Sequence, residues 1–241
     1  MKIILIFILC LMFLLFASGV NAQNTISSDI DSEGVEAWNN KGNMNYILGK
    51  PEEAIQCYDK ALEINPEYVD AWVGKGFALY DLGRYEEEIE CYDKALEINP
   101  ECVDAWYNKG YTLKELGRYD EAIECYNKTL EINPGYLGAW IDKGVTLEKL
   151  GRYEEAIECY DKVLWIILEE TDVRYETGTE HADAWYYKGV ALEKLGRHKE
   201  AMECYDKARE LDSTSFPIPG FESIFTFTGL LTVSYLLRKM E

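Results

Sequence analysis

Histidine is scarce in this chain: His181 and His198 are the only two in 241 residues. That leaves no histidine-rich cluster to bind a metal and no nucleophile–base pair. A glycine-rich phosphate loop is missing as well. No catalytic residue, metal ligand or cofactor site can be nominated, so the expectation is a protein that is not an enzyme. Basic residues are also in short supply, with 24 Lys and Arg against 44 Asp and Glu and a formal net charge of −20. No Lys/Arg cluster offsets this deficit, and a phosphate backbone would be repelled, which excludes nucleic acid as a partner. Long apolar runs are confined to the two ends. What is abundant is packing material: 48% of the residues are hydrophobic and 13% aromatic, enough for an ordered core despite the acidity.

The two ends have the composition of targeting segments. Lys2 is followed by the apolar run Ile3 to Phe16, then by Ala17, Ser18 and Gly19, and Val20-Asn21-Ala22 fits a small-x-small cleavage pattern. Residues 1–22 are expected to be a secretory signal peptide, or else an uncleaved N-terminal anchor. At the other end, Phe216-Pro217-Ile218-Pro219 breaks the chain, Phe221 to Leu237 is mostly apolar, and Arg238-Lys239 follows. Seventeen helical residues would span roughly 26 Å, close to the ~30 Å hydrocarbon core of a membrane. With the positive charges inside, the rest of the chain would face outward. Pro219-Gly220-Phe221, the apolar stretch and the basic pair together resemble the archaeal PGF-CTERM sorting signal. The resemblance implies removal of the tail and a lipid at the new end; an ordinary single-pass anchor gives the same topology. Residues 23–220 carry 21 basic and 42 acidic residues, so the part expected to be exported has a net charge of −21.

Between the ends the chain repeats itself. Ala-Trp recurs at Ala37-Trp38, Ala71-Trp72, Ala105-Trp106, Ala139-Trp140 and Ala184-Trp185, at intervals of 34, 34, 34 and 45 residues. In the third copy, Trp106, Gly110, Leu113 and Leu116 have helical spacing, and Gly117 stops that helix. Tyr119, Ala122, Ile123, Tyr126 and Leu130 define a second helix, ended by Asn133-Pro134. Gly42, Gly76, Gly110, Gly144 and Gly189 stand mid-helix, where glycine costs up to about 1 kcal/mol against alanine, so helices are expected to approach closely there. Tyr58, Tyr92, Tyr126, Tyr160 and Tyr205 and the tryptophans supply bulk, and Trp106 is expected to be buried on both sides. One such hairpin cannot bury its own apolar face, so copies must stack.

The period and these offsets are those of the tetratricopeptide repeat, and residues 37–211 resemble that family. The resemblance implies an all-α, right-handed superhelical solenoid of five repeats (37–70, 71–104, 105–138, 139–183 with an eleven-residue insertion, and 184–211). A polar linker, 23–36, would precede it; a second linker, 212–218, and the tail 219–241 with its hydrophobic helix would follow. The resemblance also implies a protein or peptide ligand in a groove lined by the first helix of each pair. Family positions facing that groove carry Asn39, Val73, Tyr107, Ile141 and Tyr186, then Asn43, Phe77, Tyr111, Val145 and Val190, with Tyr46 and Tyr80 a turn further. This strip is apolar and aromatic. The Lys/Asn pairs by which chaperone-binding relatives clamp a carboxylate are missing from it, which disfavours a chaperone tail as partner.

Departures from the pattern draw attention to particular residues. Glu88 stands where the other repeats have Ala54, Ala122, Ala156 and Ala201, which puts the packing of repeat two in question unless the carboxylate reaches solvent. In repeat four, Trp165 and Ile167 replace Glu63, Glu97, Glu131 and Asn65, Asn99, Asn133. They are expected to form an apolar patch on a helix lengthened by about one turn before a polar loop over Thr171 to Glu180, unless that loop covers them. His181 would lie in that loop, and His198 replaces Tyr85, Tyr119 and Tyr153. Asn127-Lys128-Thr129 is a glycosylation sequon on a helix. Cys57, Cys91, Cys125, Cys159 and Cys204 fall in phase. Stacked equivalents about 8–10 Å apart are too far for a disulfide, which needs Cα atoms within about 7 Å, so half-buried free thiols are expected. These readings lead to a protein-binding scaffold, exported and anchored at the outer face of the membrane by the C-terminal helix or a lipid. A purely structural envelope spacer and a cytoplasm-facing, membrane-tethered adaptor are the alternatives.

Overall fold

The computed structural model describes residues 34–169 and 178–212. The expected signal peptide, most of the first linker, the middle of the inserted loop, the second linker and the sorting tail lie outside the described residues. Among those described, ten helices follow one another: α1 (34–47), α2 (Pro51–Ile64), α3 (Val69–Asp81), α4 (Tyr85–Ile98), α5 (Val103–Glu115), α6 (Tyr119–Ile132), α7 (Leu137–Lys149), α8 (Tyr153–Glu169), α9 (Gly178–Lys194) and α10 (His198–Leu211). The described chain is all-α, in five helical hairpins. It forms two compact units, one ending at Thr112 and one beginning at Leu113.

The turn inside each hairpin depends on glycine. Gly83 has φ +70°, a left-handed conformation that side chains with a Cβ rarely adopt. There the Gly83 N–H donates to the Tyr80 carbonyl (2.8 Å) and the Arg84 N–H to the Leu79 carbonyl (3.0 Å), which satisfies the end of α3. The next helix starts without a side-chain cap. Instead Arg84 forms a two-pronged ion pair with Glu87, and Arg118, Arg152 and Arg197 do the same with Glu121, Glu155 and Glu200. The acidic residues of these first turns also suit the positive end of the helix dipole.

The hairpins are joined by a second device. Asn65 and Asn99 leave the helical region, and their side-chain oxygens accept the N–H groups of Glu67 (3.0 Å) and Glu101 (3.1 Å). The proline that follows cannot continue the helix, and its carbonyl accepts the indole N–H of the next tryptophan: Pro66 from Trp72 (2.8 Å), Pro100 from Trp106 (2.9 Å) and Pro134 from Trp140 (2.9 Å). The tryptophans thus act as clasps at repeat junctions. Trp106 is only half-buried, not enclosed on both sides as expected, because its N–H edge must stay by this loop carbonyl.

The fully enclosed bulk is tyrosine. Tyr58, Tyr92 and Tyr160 are at most 1% exposed. A Cβ placed on Gly42, Gly76, Gly144 or Gly189 would lie 2.5–2.6 Å from a ring carbon of Tyr58, Tyr92, Tyr160 or Tyr205 respectively. The repeated mid-helix glycine therefore makes room for the tyrosine of the same hairpin. Tyr58 lies between two such bare surfaces, because Gly74 of α3 meets it from the other side.

At the edges, two expectations are corrected and one is met. The first helix already covers residues 34–36, assigned above to the linker. In repeat four α8 is 17 residues long against 14 for α2, α4, α6 and α10, the expected extra turn, since no Asn-Pro stop is present. The loop after it is shorter than expected, because Gly178 to Glu180 already belong to α9, and His181 is helical too. Among the described residues no helix is long and apolar enough to cross a membrane.

Candidate functional site

The first helices of repeats one to three contribute to one pocket within the first unit, of about 440 Å³. Of the twelve groove residues expected from the sequence, it brings together Tyr46, Phe77, Tyr80, Tyr107 and Tyr111. Tyr46 stacks on Phe77 (centroids 6.4 Å apart), Phe77 meets Tyr92 edge to face (6.3 Å), and Tyr80 meets Tyr111 in the same way (5.9 Å). Such offset and edge-on pairs are the arrangements the ring quadrupole favours. The wall is therefore preformed, and each ring is held by another.

The other expected groove residues lie elsewhere. Asn39 and Val73 are buried and do not line this pocket; Val73 packs with Tyr92, Leu96 and Ala105. Asn43 is exposed, but its side chain accepts the hydroxyl of Tyr58 at 2.8 Å. In the second unit Ile141, Val145, Tyr186 and Val190 are half-buried. Ile141 packs with Val163, Leu164 and Ile167, and Tyr186 against Tyr187 and Tyr205 (5.5 and 5.7 Å). Much of that part of the strip is spent on neighbouring helices.

Five further residues line the pocket that the sequence did not suggest: Asp81, Glu88, Tyr92, Asn108 and Thr112. Glu88 was noticed as a departure, but it does not reach solvent; it is 1% exposed. The Thr112 hydroxyl donates to its Oε1 at 2.7 Å. Its Oε2 makes no well-formed hydrogen bond, and the Tyr92 hydroxyl on the same helix acts on the carboxyl group only as a weak donor. In other hairpins the tyrosine finds an acceptor: Tyr58 at Asn43, Tyr160 at Glu148 (2.6 Å) and Tyr205 at Glu193 (2.9 Å). In repeat two, Phe77 and Tyr80 stand at the equivalent positions, neither of them an amide or a carboxylate, and the carboxyl group beside the Tyr92 hydroxyl is that of Glu88.

Burial raises the Glu88 pKa to about 7; the nearby Thr112 and Tyr92 hydroxyls oppose the rise, and the charge of Asp81 adds to it. The folded protein therefore holds this proton to higher pH than the unfolded chain does. Its contribution to stability is greatest at low pH and falls as pH rises from about 4.5 towards about 7. The Glu88→Ala variant should lack this decline. Its stability relative to wild type should rise by on the order of 1–3 kcal/mol between pH 5 and pH 8, measured by urea denaturation. An equal slope in both proteins would show that Glu88 ionises without cost.

The remaining nominated residues divide clearly. Trp165 is 58% exposed and Leu168 64%, whereas Ile167 is 3% exposed and belongs to the core with Val163 and Leu164. The apolar surface on α8 is thus Trp165 with Leu168, not Trp165 with Ile167. Leu168 holds the position of Pro66, Pro100 and Pro134, a substitution visible in the sequence. Asn127 is half-buried on α6, in phase with Asp59, Asp93 and Asp161, which pair with Lys75, Lys109 and Lys188. Cys57, Cys91, Cys125, Cys159 and Cys204 are buried, more deeply than expected. Burial pushes the Cys91 and Cys159 thiols up to about 12 and about 11, which keeps them protonated and unreactive. Among the described residues no group of three His, Cys, Asp or Glu side chains could hold a metal ion.

The hairpins have known counterparts. Residues 35–68, 103–136, 138–166 and 182–215 match the tetratricopeptide repeat, 76–117 the TPR repeat and 57–90 a further tetratricopeptide-repeat description. Residues 218–239 match the PGF-CTERM motif. The chain is similar to the crystal structure of YrrB, described as a TPR protein with an unusual peptide-binding site, at 26% identity and TM-score 0.61 over 78% of this chain and 93% of that one. It is similar in fold to a crystal structure of MamA, at 24% identity and TM-score 0.63 over 71% of this chain and 94% of that one. A MamA fragment from Desulfovibrio magneticus RS-1 gives 22% identity and TM-score 0.65 over 76% and 98%. No curated protein matches. With four matched copies of one repeat covering more than half of its length, the chain belongs to the tetratricopeptide-repeat family.

Proposed function

We propose that this protein is a non-enzymatic interaction scaffold, displayed at the outer face of the cell membrane, that binds an extended segment of a partner protein along the aromatic face of its first helices. The observation that carries the reading is the preformed aromatic pocket built by α1, α3 and α5 within one unit. A pocket lined by large rings with a few polar groups is the usual composition of a ligand site. The peptide-binding site named for YrrB adds support from a relative of the same repeat type. Anchoring at the surface is supported by the PGF-CTERM match at 218–239 together with the N-terminal apolar segment, and the acidic charge suits a solvated surface protein. Trp165 and Leu168 offer a second apolar surface in the other unit.

The reading is tested by capture from envelope extract with the full chain and two variants, Tyr107→Asp and Trp165→Glu, each checked for native helicity. Loss of the captured protein with Tyr107→Asp alone is the expected result. Loss with Trp165→Glu alone would move the contact to α8, and equal capture by all three would overturn both surfaces. Protease applied to intact cells should digest the repeats; protection until lysis would favour the cytoplasm-facing adaptor.

A further inference from the structure

Glu88 is costly where it stands. Four of the five hairpins place a methyl group at this position, whereas here a carboxyl group is 1% exposed with one oxygen lacking a well-formed hydrogen bond. Burying a polar group without a compensating hydrogen bond is destabilising, and native structures rarely leave such groups unexplained. The Tyr92 hydroxyl beside it offers the carboxyl group no more than a weak hydrogen bond, and both residues line the aromatic pocket. Asp81 places a second carboxyl group on the wall.

The contents of this pocket decide what it can take. Two carboxyl groups repel an anion. A purely apolar side chain would fill the space but leave Glu88 Oε2 and Tyr92 Oη as they are. A cation suits both kinds of lining: carboxyl groups for charge, and aromatic rings, Phe77, Tyr80 and Tyr111, of the kind that attracts ammonium and guanidinium groups. We propose that this pocket receives a basic side chain, the ammonium of lysine or the guanidinium of arginine, from a peptide lying along the first helices. The proposal rests on the reading of this face as a peptide site. The net charge of −21 on residues 23–220 favours the same partner, since it draws basic segments towards the protein before contact.

Binding should be linked to one proton. The groups around Glu88 are Tyr46 from α1, Asp81 and Tyr80 from α3, Tyr92 on its own helix, and Asn108, Tyr111 and Thr112 from α5. Burial holds the Tyr46 and Tyr92 phenols above their usual range, so they stay neutral near pH 7. A cation beside Glu88 favours its ionised form. The empty site, titrating near 7, should release a proton on binding, and affinity should fall about tenfold from pH 8 to pH 6.

The test titrates the purified full chain with four pools of end-blocked nonapeptides, random except for a central lysine, arginine, norleucine or glutamate, and separately with n-butylamine. The lysine and arginine pools should bind at least about tenfold more tightly than the norleucine pool and lose about tenfold at pH 6. Glu88→Ala, which restores the residue of the other hairpins, should fold and lose both the preference and the pH dependence; Glu88→Gln, of the same shape, should do the same. If the norleucine pool binds as tightly as the lysine pool, the groove takes peptides and the cation assignment is wrong. If butylamine binds and no pool does, the pocket serves a free amine and the peptide reading fails. Absence of any binding, or a preference that survives Glu88→Ala and Glu88→Gln, overturns the proposal.

Discussion

Tyr160→Ala is expected to cost about 3–5 kcal/mol of stability, the usual range for deleting a large buried ring. Tyr160 is 0% exposed, stacks with Tyr187 at 6.0 Å and donates its hydroxyl to Glu148 at 2.6 Å. Its removal leaves a cavity and also an abandoned carboxyl group. Burial already raises the Glu148 pKa, while the Tyr160 hydrogen bond favours the charged form, so loss of the hydroxyl should raise that pKa further. Urea denaturation would read the loss of stability. Because repeats contact mainly their neighbours, the loss should fall on the second unit and its adjoining hairpins. A change below about 1 kcal/mol would mean that these tyrosines are not the columns of the fold.

Gly144→Val should be almost as damaging, although glycine is a poor helix former. A Cβ at position 144 would sit 2.5 Å from Cε1 of the Tyr160 ring, well inside van der Waals contact, and the ring is enclosed on all sides. Overpacking of this kind should cost about 3 kcal/mol, more than the few tenths that valine gains over glycine in helix propensity. The two substitutions should also couple. In a Tyr160→Ala background the clash has no partner, and Gly144→Val should then change stability by less than about 1 kcal/mol. If the valine costs the same in both backgrounds, the glycine serves something other than the tyrosine.

The helices and their ends could be read from the chain because each signal is local and recurs, the turn glycine five times and the Asn-Pro stop three times. Gly117 closes a helix because its φ of +75° costs it nothing, and Asn99-Pro100 stops one because proline carries no N–H and blocks the helical path. The pairing of mid-helix glycine with tyrosine was half visible. Periodicity indicated a close approach, but only the coordinates identified the tyrosine of the same hairpin as the group that comes close.

Exposure at the groove was much less legible. Spacing places Asn39, Val73 and Tyr107 at equivalent positions of successive first helices, yet Asn39 and Val73 are buried and Tyr107 lines the pocket. Equivalent positions differ because exposure depends on the size of side chains presented by the next hairpin, about 34 residues away, and no local pattern contains that information. Ile167 was misjudged for the same reason: an extra turn of α8 carries it onto the core with Leu137 and Trp140.

Sequence by itself determined the class of the protein. Period, turn glycines and Asn-Pro stops are properties of single short segments, so they survive any error about packing, and they lead to the tetratricopeptide family without coordinates. Tertiary structure alone decided the surroundings of Glu88 in repeat two. In the sequence Glu88 is an acidic residue on a helix rich in acidic residues; its burial, its hydrogen bond from Thr112 twenty-four positions later and its place beside Tyr92 arise only when three helices converge. A carboxyl group acquires its protonation state and its role from the groups and the solvent around it, and those are set by the fold.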